Sequence, residues 1–215
     1  RESDEEFRAS YLGSTAAGGA STVDSIRASL LGLPGVRAAN VIENTSMQTD
    51  SEGRPPKSIH CYTLGGDRRE IAQTILDTKA AGIETHGEIE ETVYDLGGHE
   101  HTIRFSFAEV VDIYLQMTIK RNVRFPLDGE ERIKQNIVTY IGGEDDEGVL
   151  HPGLGMGQTV TYTKLIDIIY NTEGIEDLSL DISTDGVTWV RENITVGMNQ
   201  VAETDFDKVV ITYAE

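Results

Sequence analysis

Residues 111–119 constrain the fold most, because apolar and polar side chains alternate strictly along them. One set consists of Val111, Ile113, Leu115, Met117 and Ile119, and the other of Asp112, Tyr114, Gln116, Thr118 and Lys120. Successive side chains of a strand point to opposite faces, so a period of two predicts a strand with one buried face. The chain therefore contains a sheet whose apolar side other elements have to cover.

Helical spacing recurs in several stretches. Ile133, Ile137 and Ile141 follow one another at every fourth residue of "FPLDGEERIKQNIVTYIGG", which predicts a helix that covers the strand. Ser21 or Thr22 is expected to cap a helix, and Asp67 and Glu70 have the spacing of a capping box. A further helix is predicted in "TYTKLIDIIYNTEG".

Other stretches have the composition of strands. They are "VRAANVIEN", "SIHCYTL", residues 88–96 and 100–107 joined by "LGGHE", "IEDLSLDIS", "GVTWVRENI" and "KVVITYA". The paired glycines of "LGGHE" and the Asp185–Gly186 pair are typical of hairpin turns.

These elements predict an α+β fold of two small units, each an antiparallel or mixed sheet with helices packed on one face. We expect a first unit at 21–109 and a second at 110–215. Residues 1–20 are expected to form a helix and a linker after a missing preceding region, since the sequence starts "RESDEEF" without methionine. A faint echo accompanies this division: the order helix, glycine, strand in "LLGLPGVRAANVIEN" recurs in "IIYNTEGIEDLSLDIS".

Charge and hydropathy each argue against one class of partner. The 215 residues include 37 acidic and 18 basic side chains, for a formal charge of −19. Such a surface repels phosphate backbones, so no nucleic-acid partner is expected. No apolar run approaches the ~18 residues of a membrane span, so no membrane partner is expected either.

Histidines and carboxylates around residue 95 raise the question of a metal site. His99 and His101 share strand parity, and His86 lies upstream beside Glu88, Glu90 and Glu91. Imidazole and carboxylate are common ligands of divalent metals, but the stretch lacks a strong ligand spacing such as H-E-x-x-H. We therefore interpret these histidines as exposed residues of a hairpin and expect that no metal and no cofactor is bound.

Three other patterns resemble sites only in part. "GLGMGQT" lacks the Gly-Lys-Ser/Thr of a phosphate loop, and "EDDEG" lacks the alternating ligands of a calcium loop. His60 and Cys61 are neighbours on a predicted strand and point to opposite faces, so His60 is badly placed to activate a thiolate. Cys61 is expected to be a small buried residue, and no catalytic residue is predicted.

The order and spacing of several short pieces carry a family resemblance. They are "GV" followed by "VIEN", then "GRPPKSI", "GG" with "EIAQTI", "KAAGIETHG", "IRFSFAEVVDIYLQMTI" and "FPLDGEERIKQNIVTYI". Over residues 5–185 the chain resembles the C-terminal half of baseplate J-like proteins of contractile-tailed phages and related prophage particles. Residues 186–215 have no counterpart in this resemblance.

The resemblance implies a structural, non-enzymatic wedge component that links the hub of a tail baseplate to the sheath and peripheral parts. The implied partners are other baseplate and tail proteins, including copies of the chain itself in a ring. The implied location is the virion tail, after assembly in the bacterial cytoplasm. The long loops 44–58 and 142–160 are expected either to reach such neighbours or to be disordered.

Two alternative functions stay open at this stage. One is a tail-associated cell-wall hydrolase, although the sequence shows no site for it. The other is a glycan-binding receptor module, for which Trp189, beside the Asp-Gly turn, could supply a stacking surface.

Overall fold

The computed structural model describes residues 21–214. They divide into two compact units between Ala108 and Glu109, and these are called unit 1 (21–108) and unit 2 (109–214). The predicted helix and linker at 1–20 lie outside the described residues. The α+β class predicted from the sequence is confirmed, since helices and mixed sheets occur in both units.

The described residues of unit 1 form two helices and five strands. They are α1 (Val23–Leu31), β1 (Val36–Asn44), β2 (Ser58–Gly65), α2 (Arg68–Thr78), β3 (Glu84–His86), β4 (Ile89–Tyr94) and β5 (Glu100–Phe107). The strands form one mixed sheet in the order β1-β2-β5-β4, and β3 pairs with β2. β1 is antiparallel to β2, whereas β3 and β5 are parallel to it.

Both helices of unit 1 begin at the residues that the sequence indicates. Thr22 Oγ1 accepts the Ser25 N–H at 3.1 Å, and Asp67 Oδ1 accepts the N–H groups of Arg69 and Glu70 at 3.0 and 3.1 Å. These bonds satisfy amides that have no partner in the first helical turn. The apolar sides of the helices then pack on one face of the sheet in a core formed by Ile26, Leu30, Ala39, Val41, Ile59, Cys61, Ile71, Ala72, Ile75, Val93, Ile103 and Phe105.

Residues 109–214 of unit 2 form two helices and seven strands. They are β6 (Glu109–Asp112), β7 (Tyr114–Arg121), α3 (Gly129–Ile141), β8 (Gly143–Glu144), β9 (Leu150–His151), α4 (Tyr162–Tyr170), β10 (Ile175–Ser183), β11 (Gln200–Glu203) and β12 (Val209–Tyr213). The main sheet has the order β10-β7-β12, and β11-β6 and β8-β9 form two-stranded sheets. The sequence predicts a single sheet for this unit, whereas the structure has three separate sheets.

The apolar face predicted for residues 111–119 is the wall of the unit 2 core. Ile113, Leu115 and Ile119 are fully buried, Met117 nearly so, and Val111 is partly buried. The three isoleucines of α3 pack against this face, together with α4 residues Leu165 and Ile169. The predicted packing of the helix with Ile133, Ile137 and Ile141 against this strand is thus present in the structure.

The prediction of one continuous strand over 111–119 is wrong. The chain pairs first with β11 and then with β12, both in parallel, and the partner segment loops away between Glu203 and Val209. In this gap the Ile113 N–H donates to Glu203 O at 2.8 Å. The Ile113 carbonyl oxygen accepts a hydrogen bond from the Thr204 hydroxyl, also at 2.8 Å. Burial alternates through the break, but the hydrogen-bonding partner changes, and this divides β6 from β7.

The prediction of a strand in "GVTWVRENI" is also wrong. Only isolated bridges occur there, between Val190 and Ile182 and between Ile194 and Val160. Asp185 Oδ1 accepts the N–H groups of Val187 and Thr188 at 2.8 and 2.7 Å, which satisfies these amides locally and competes with a strand ladder. Trp189, considered above as an exposed stacking surface, is partly buried.

The sequence echo has a structural counterpart with a different chain order. In unit 1, α1-β1 precedes β2-α2, and in unit 2, β7-α3 precedes α4-β10. In each unit the two strands are antiparallel, and a third strand, β5 or β12, lies parallel on the far side. The connecting glycines, Gly35 and Gly174, both have positive φ (76° and 82°), a conformation that L side chains avoid.

Within residues 21–214, no helix has both the length and the apolar character needed to cross a membrane.

Candidate functional site

Asp95 joins the two histidines of the β4–β5 hairpin. His99 Nδ1 lies 3.3 Å from Asp95 Oδ1, and His101 Nε2 lies 3.2 Å from Asp95 Oδ2. The N–H groups of Gly97 and His99 also donate to Asp95 Oδ1, at 2.8 and 2.9 Å. The His99 N–H, followed by the His101 imidazole, holds the pKa of Asp95 well below its usual range. Both carboxylate oxygens are therefore engaged inside the hairpin.

His86 does not join this group. It lies on β3, where its ring packs edge-on against the ring of His60 with centroids 5.0 Å apart. Glu90 pairs with Arg104 at 2.7 Å. Among residues 21–214, no three His, Cys, Asp or Glu side chains are grouped as a metal ion would require.

His60 and Ser106 form a buried pair that the sequence reasoning missed. His60 is 7% exposed and Ser106 3%, and His60 Nε2 lies 2.9 Å from Ser106 Oγ. The Glu88 N–H donates to the same hydroxyl at 3.1 Å. The two residues lie on β2 and β5, which are distant in sequence and adjacent in the sheet, so no local pattern could reveal the pair.

A serine at hydrogen-bond distance from a histidine is part of the arrangement used in nucleophilic catalysis. Here, burial, followed by the nearby charges of His86 and Arg54, lowers the pKa of His60 to about 4. A general base works best with a pKa near the working pH, so this imidazole is a poor base. Its ring also stacks on Tyr62, with centroids 4.0 Å apart. The geometry favours a structural pair over a catalytic one.

Cys61 points to the other face of β2 from His60. It is fully buried in the unit 1 core, and burial raises the pKa of its thiol to about 12. A thiol with this pKa is almost entirely protonated at neutral pH, and the thiolate is the nucleophilic form. Cys61 is a packing residue in this position.

One buried side chain organises the loop of residues 45–57. Asn44 Nδ2 donates to the carbonyls of Gln48, Arg54 and Pro55 at 2.8, 2.9 and 2.9 Å. Asp50 adds a second set of bonds, because it accepts the N–H and the Nε–H of Arg54 at 2.9 and 2.6 Å. The loop is therefore held from within by its own hydrogen bonds.

Asp145 has the same role in the segment 142–160. Asp145 Oδ2 lies 2.7 Å from His151 Nε2, and Oδ1 accepts the N–H groups of Glu147 and Val149 at 3.0 and 2.8 Å. The His151 contact comes first among the causes that lower the pKa of Asp145 to about 2. The sequence indicated a long polar loop, whereas the structure has the short β8–β9 hairpin closed around this carboxylate.

A polar cavity of about 800 Å³ lies beside this hairpin in unit 2. Two of the acidic groups that line it are already paired, Asp128 with Arg132 at 2.9 Å and Asp145 with His151. The complete lining is Arg124, Pro126, Asp128, Glu131, Arg132, Gln135, Asn136, Asp145, Asp146, Glu147, Asn171, Thr172, Glu173 and Phe206. The excess of carboxylates favours cationic over anionic contacts.

Large apolar side chains project from the loops of both units. The most exposed ones are Met47, Leu96, Val123, Leu127, Val187 and Met198, each of which lies outside the helices and strands. Single exposed apolar residues are common on protein surfaces. Their concentration on turns makes the loops candidate contact points for other proteins.

Comparison with known proteins identifies no relative by sequence. No family model matches the chain, and no curated protein matches it. The fold, by contrast, does match solved structures.

One matching chain comes from the cryo-electron microscopy structure of the anti-feeding prophage (AFP) baseplate, six-fold symmetrised. It shares 12% sequence identity with this chain and superposes with a TM-score of 0.55. The match covers 94% of this chain and 41% of the AFP chain, so the present sequence spans about two-fifths of that protein. The chain described here therefore shares its fold with part of a prophage baseplate protein.

Proposed function

We propose that this chain is a structural component of a phage or prophage tail baseplate. The observation that carries the proposal is the fold shared with an AFP baseplate chain over 94% of the present sequence. Two features of the molecule support it. The loops 45–57 and 142–160 are held by internal hydrogen bonds around Asn44 and Asp145, and apolar side chains are exposed on turns.

In more detail, we infer a baseplate J-like wedge subunit of a contractile tail, without enzymatic activity. Such a subunit binds other baseplate proteins and copies of itself in a ring. A wedge has to hold its neighbours in one ring geometry and allow another when the tail contracts. Ordered loops suit this role because little conformational entropy is lost when they dock.

The proposal also includes the two-domain organisation expected from the sequence, with a division near residues 108–111. Fragments 21–108 and 109–215, expressed separately, should each unfold cooperatively. A fragment that is unfolded alone would contradict this part of the proposal.

The function is tested on tail particles purified from the bacterial strain that encodes the sequence. We expect mass spectrometry to find the chain in intact particles and cryo-electron microscopy to place its fold at the end of the tail, around the hub. Deletion of the coding sequence should leave tails without complete baseplates. Normal baseplates in the deletion strain would refute the proposal.

A further inference from the structure

The outer strands of the two main sheets differ in how their free edges are protected. Edge strands of soluble proteins usually carry charges, prolines or bulges that prevent pairing with other chains. Three of the four outer strands have charged residues: β1 has Arg37 and Glu43, β4 has Glu90 and Glu91, and β10 has Glu176, Asp177 and Asp181. β12 reads Val-Val-Ile-Thr-Tyr and has neither charge nor proline.

The hydrogen bonds of β12 leave one edge open. Lys208 O accepts the Leu115 N–H at 2.8 Å, and the Ala214 N–H donates to Ile119 O at 3.0 Å. In a parallel ladder with this register, the even-numbered residues of β12 face β7. The N–H and C=O groups of Ile211 and Tyr213 therefore point away from β7, and no backbone group among residues 21–214 pairs with them.

The side chains of β12 fit a strand that another chain covers. Val210 is 52% exposed and Tyr213 38% exposed, and Thr212 is exposed as well. β-branched and aromatic residues pair well across strands, and nothing in this strand opposes pairing.

Acidic residues lie at both ends of the open edge. Asp207 lies just before the strand, and at the end of the strand Glu130 Oε2 accepts the Tyr213 hydroxyl at 3.3 Å. The Arg121 guanidinium lies 4.0 Å from the centroid of the Tyr213 ring and offsets part of the charge at that end. The nearest cation at the start, Lys208, already contacts Asp112 and Asp205 at 3.0 and 2.6 Å. With a formal charge of −19 on the whole chain, a second copy is electrostatically disfavoured at this edge, and a basic partner is favoured.

We propose that the open edge of β12 binds an extended segment of another protein chain, with lysine or arginine at the ends of that segment, as an added strand of the β10-β7-β12 sheet. Backbone hydrogen bonds to Ile211 and Tyr213 supply the pairing, and the acidic ends select the partner. The inference rests on the proposed function only in placing that partner among baseplate proteins. The open edge itself is a feature of residues 21–214.

The test uses the full chain and a labelled peptide, Lys-Lys-Thr-Val-Thr-Val-Thr-Val-Lys-Lys, with blocked ends. We expect saturable binding in fluorescence anisotropy and slower amide exchange at Ile211 and Tyr213, with little change at Thr212. A peptide of the same sequence that is N-methylated at every central residue cannot pair, and should bind at least about tenfold more weakly. A Glu-flanked peptide should also bind at least about tenfold more weakly at low salt.

The matched variants are Ile211→Pro, which removes an outward N–H, and Ile211→Val, which keeps it. Only the proline variant should lose binding, and circular dichroism checks that it is folded. If it is not, the N-methylated peptide and the exchange pattern decide the question. Absence of binding, equal binding of the methylated peptide, or protection elsewhere would overturn the proposal.

A peptide-free dimer that Ile211→Pro abolishes would assign the edge to a second copy and overturn the proposed occupant. These outcomes are independent of whether the chain is found in tail particles, so this inference and the proposed function can fail separately.

Discussion

His60 Nε2 and Ser106 Oγ lie 2.9 Å apart on neighbouring strands of the unit 1 sheet, and both side chains are buried. His86, Arg54 and Asp50 all act electrostatically on His60, and Asp50 is the one that favours the protonated imidazole. Burial of the imidazole, followed by the positive charges of His86 and Arg54, disfavours a proton on His60 in the folded state.

This arrangement predicts that the protein is less stable at mildly acidic pH. Burial, followed by His86 and Arg54, lowers the pKa of His60 from 6.5 to about 4. Between these values the unfolded chain binds a proton that the folded chain does not, so stability falls as the pH falls from 6.5 towards 4. The loss attributable to His60 should reach about 2–3 kcal/mol, measured by urea unfolding across a pH series.

The control for this prediction is a pair of glutamine variants. His60→Gln should show a shallower pH dependence than the wild type over this range, because the titrating group is gone. His99→Gln, whose side chain is 79% exposed, should keep the wild-type dependence. Equal slopes for all three proteins would show that His60 titrates normally.

The two faces of β7 should respond differently to truncation. Leu115 is fully buried in the unit 2 core, so Leu115→Ala should cost about 2–5 kcal/mol of stability. Gln116 points to the opposite face and is only partly buried, so Gln116→Ala should cost less than about 0.5 kcal/mol. Denaturant melts of the two variants give the comparison, and a similar cost at both positions would mean that the outer face is covered as well.

Removal of the Asn44 amide should loosen loop 45–57. Asn44→Ala removes the amide bonds to the carbonyls of Gln48, Arg54 and Pro55, at an expected cost of about 0.5–1.5 kcal/mol. The cost stays modest because each carbonyl keeps a second donor, from Ser46, Asp50 and Ser58 respectively. Amide exchange and proteolysis in residues 45–57 should accelerate. Gln48→Ala is the matched control, since only the backbone of that residue contacts Asn44. Unchanged exchange in Asn44→Ala would show that this side chain does not order the loop.

The hairpin around Asp95 should not retain zinc. Among residues 21–214, the side chains of His99, His101 and Asp95 do not form a group that could hold a metal ion. Asp95 Oδ1 already accepts the N–H groups of Gly97 and His99, and Oδ2 contacts His101 Nε2. Elemental analysis after dialysis should find much less than one equivalent of zinc. A stoichiometric amount that His101→Ala removes would contradict the prediction.

The isolated chain should self-associate weakly. A formal charge of −19 opposes association at low salt, and this repulsion is screened above an ionic strength of ~0.1 M. Light scattering across a salt series should show either a monomer throughout or association that increases with salt. A tight oligomer at low salt that dissociates when salt is added would be inconsistent with the charge argument.

Much of the local structure could be predicted because its causes are local. The Asp67 carboxylate caps α2 through amides two and three residues away, and the period of two in residues 111–119 requires one buried face. The isoleucines of α3 lie on one side of the helix for the same reason of spacing, and they pack against that face. These features depend on propensity, capping and alternation, which the sequence itself contains.

The candidate contact surfaces could be predicted only in part. The polar composition of residues 44–58 and 142–160, with its turn-forming residues, predicts long loops. Their order depends on Asn44 and Asp145, whose partners lie up to 11 and 10 residues away and require the turns to form first. No pattern of residue types identifies these two side chains as the anchors.

The tertiary structure alone decided which strands meet. Strand pairing is specified by contacts between distant residues, so alternation predicts that residues 111–119 are extended but not that the partner changes at Ile113 from β11 to β12. The same is true of His60 with Ser106, and of the open edge at Ile211 and Tyr213. The sequence determined the local elements and the faces they bury, because short-range sterics and hydrogen bonds suffice for these. Sheet order, strand breaks and free edges depend on long-range pairing and arose only with the complete fold.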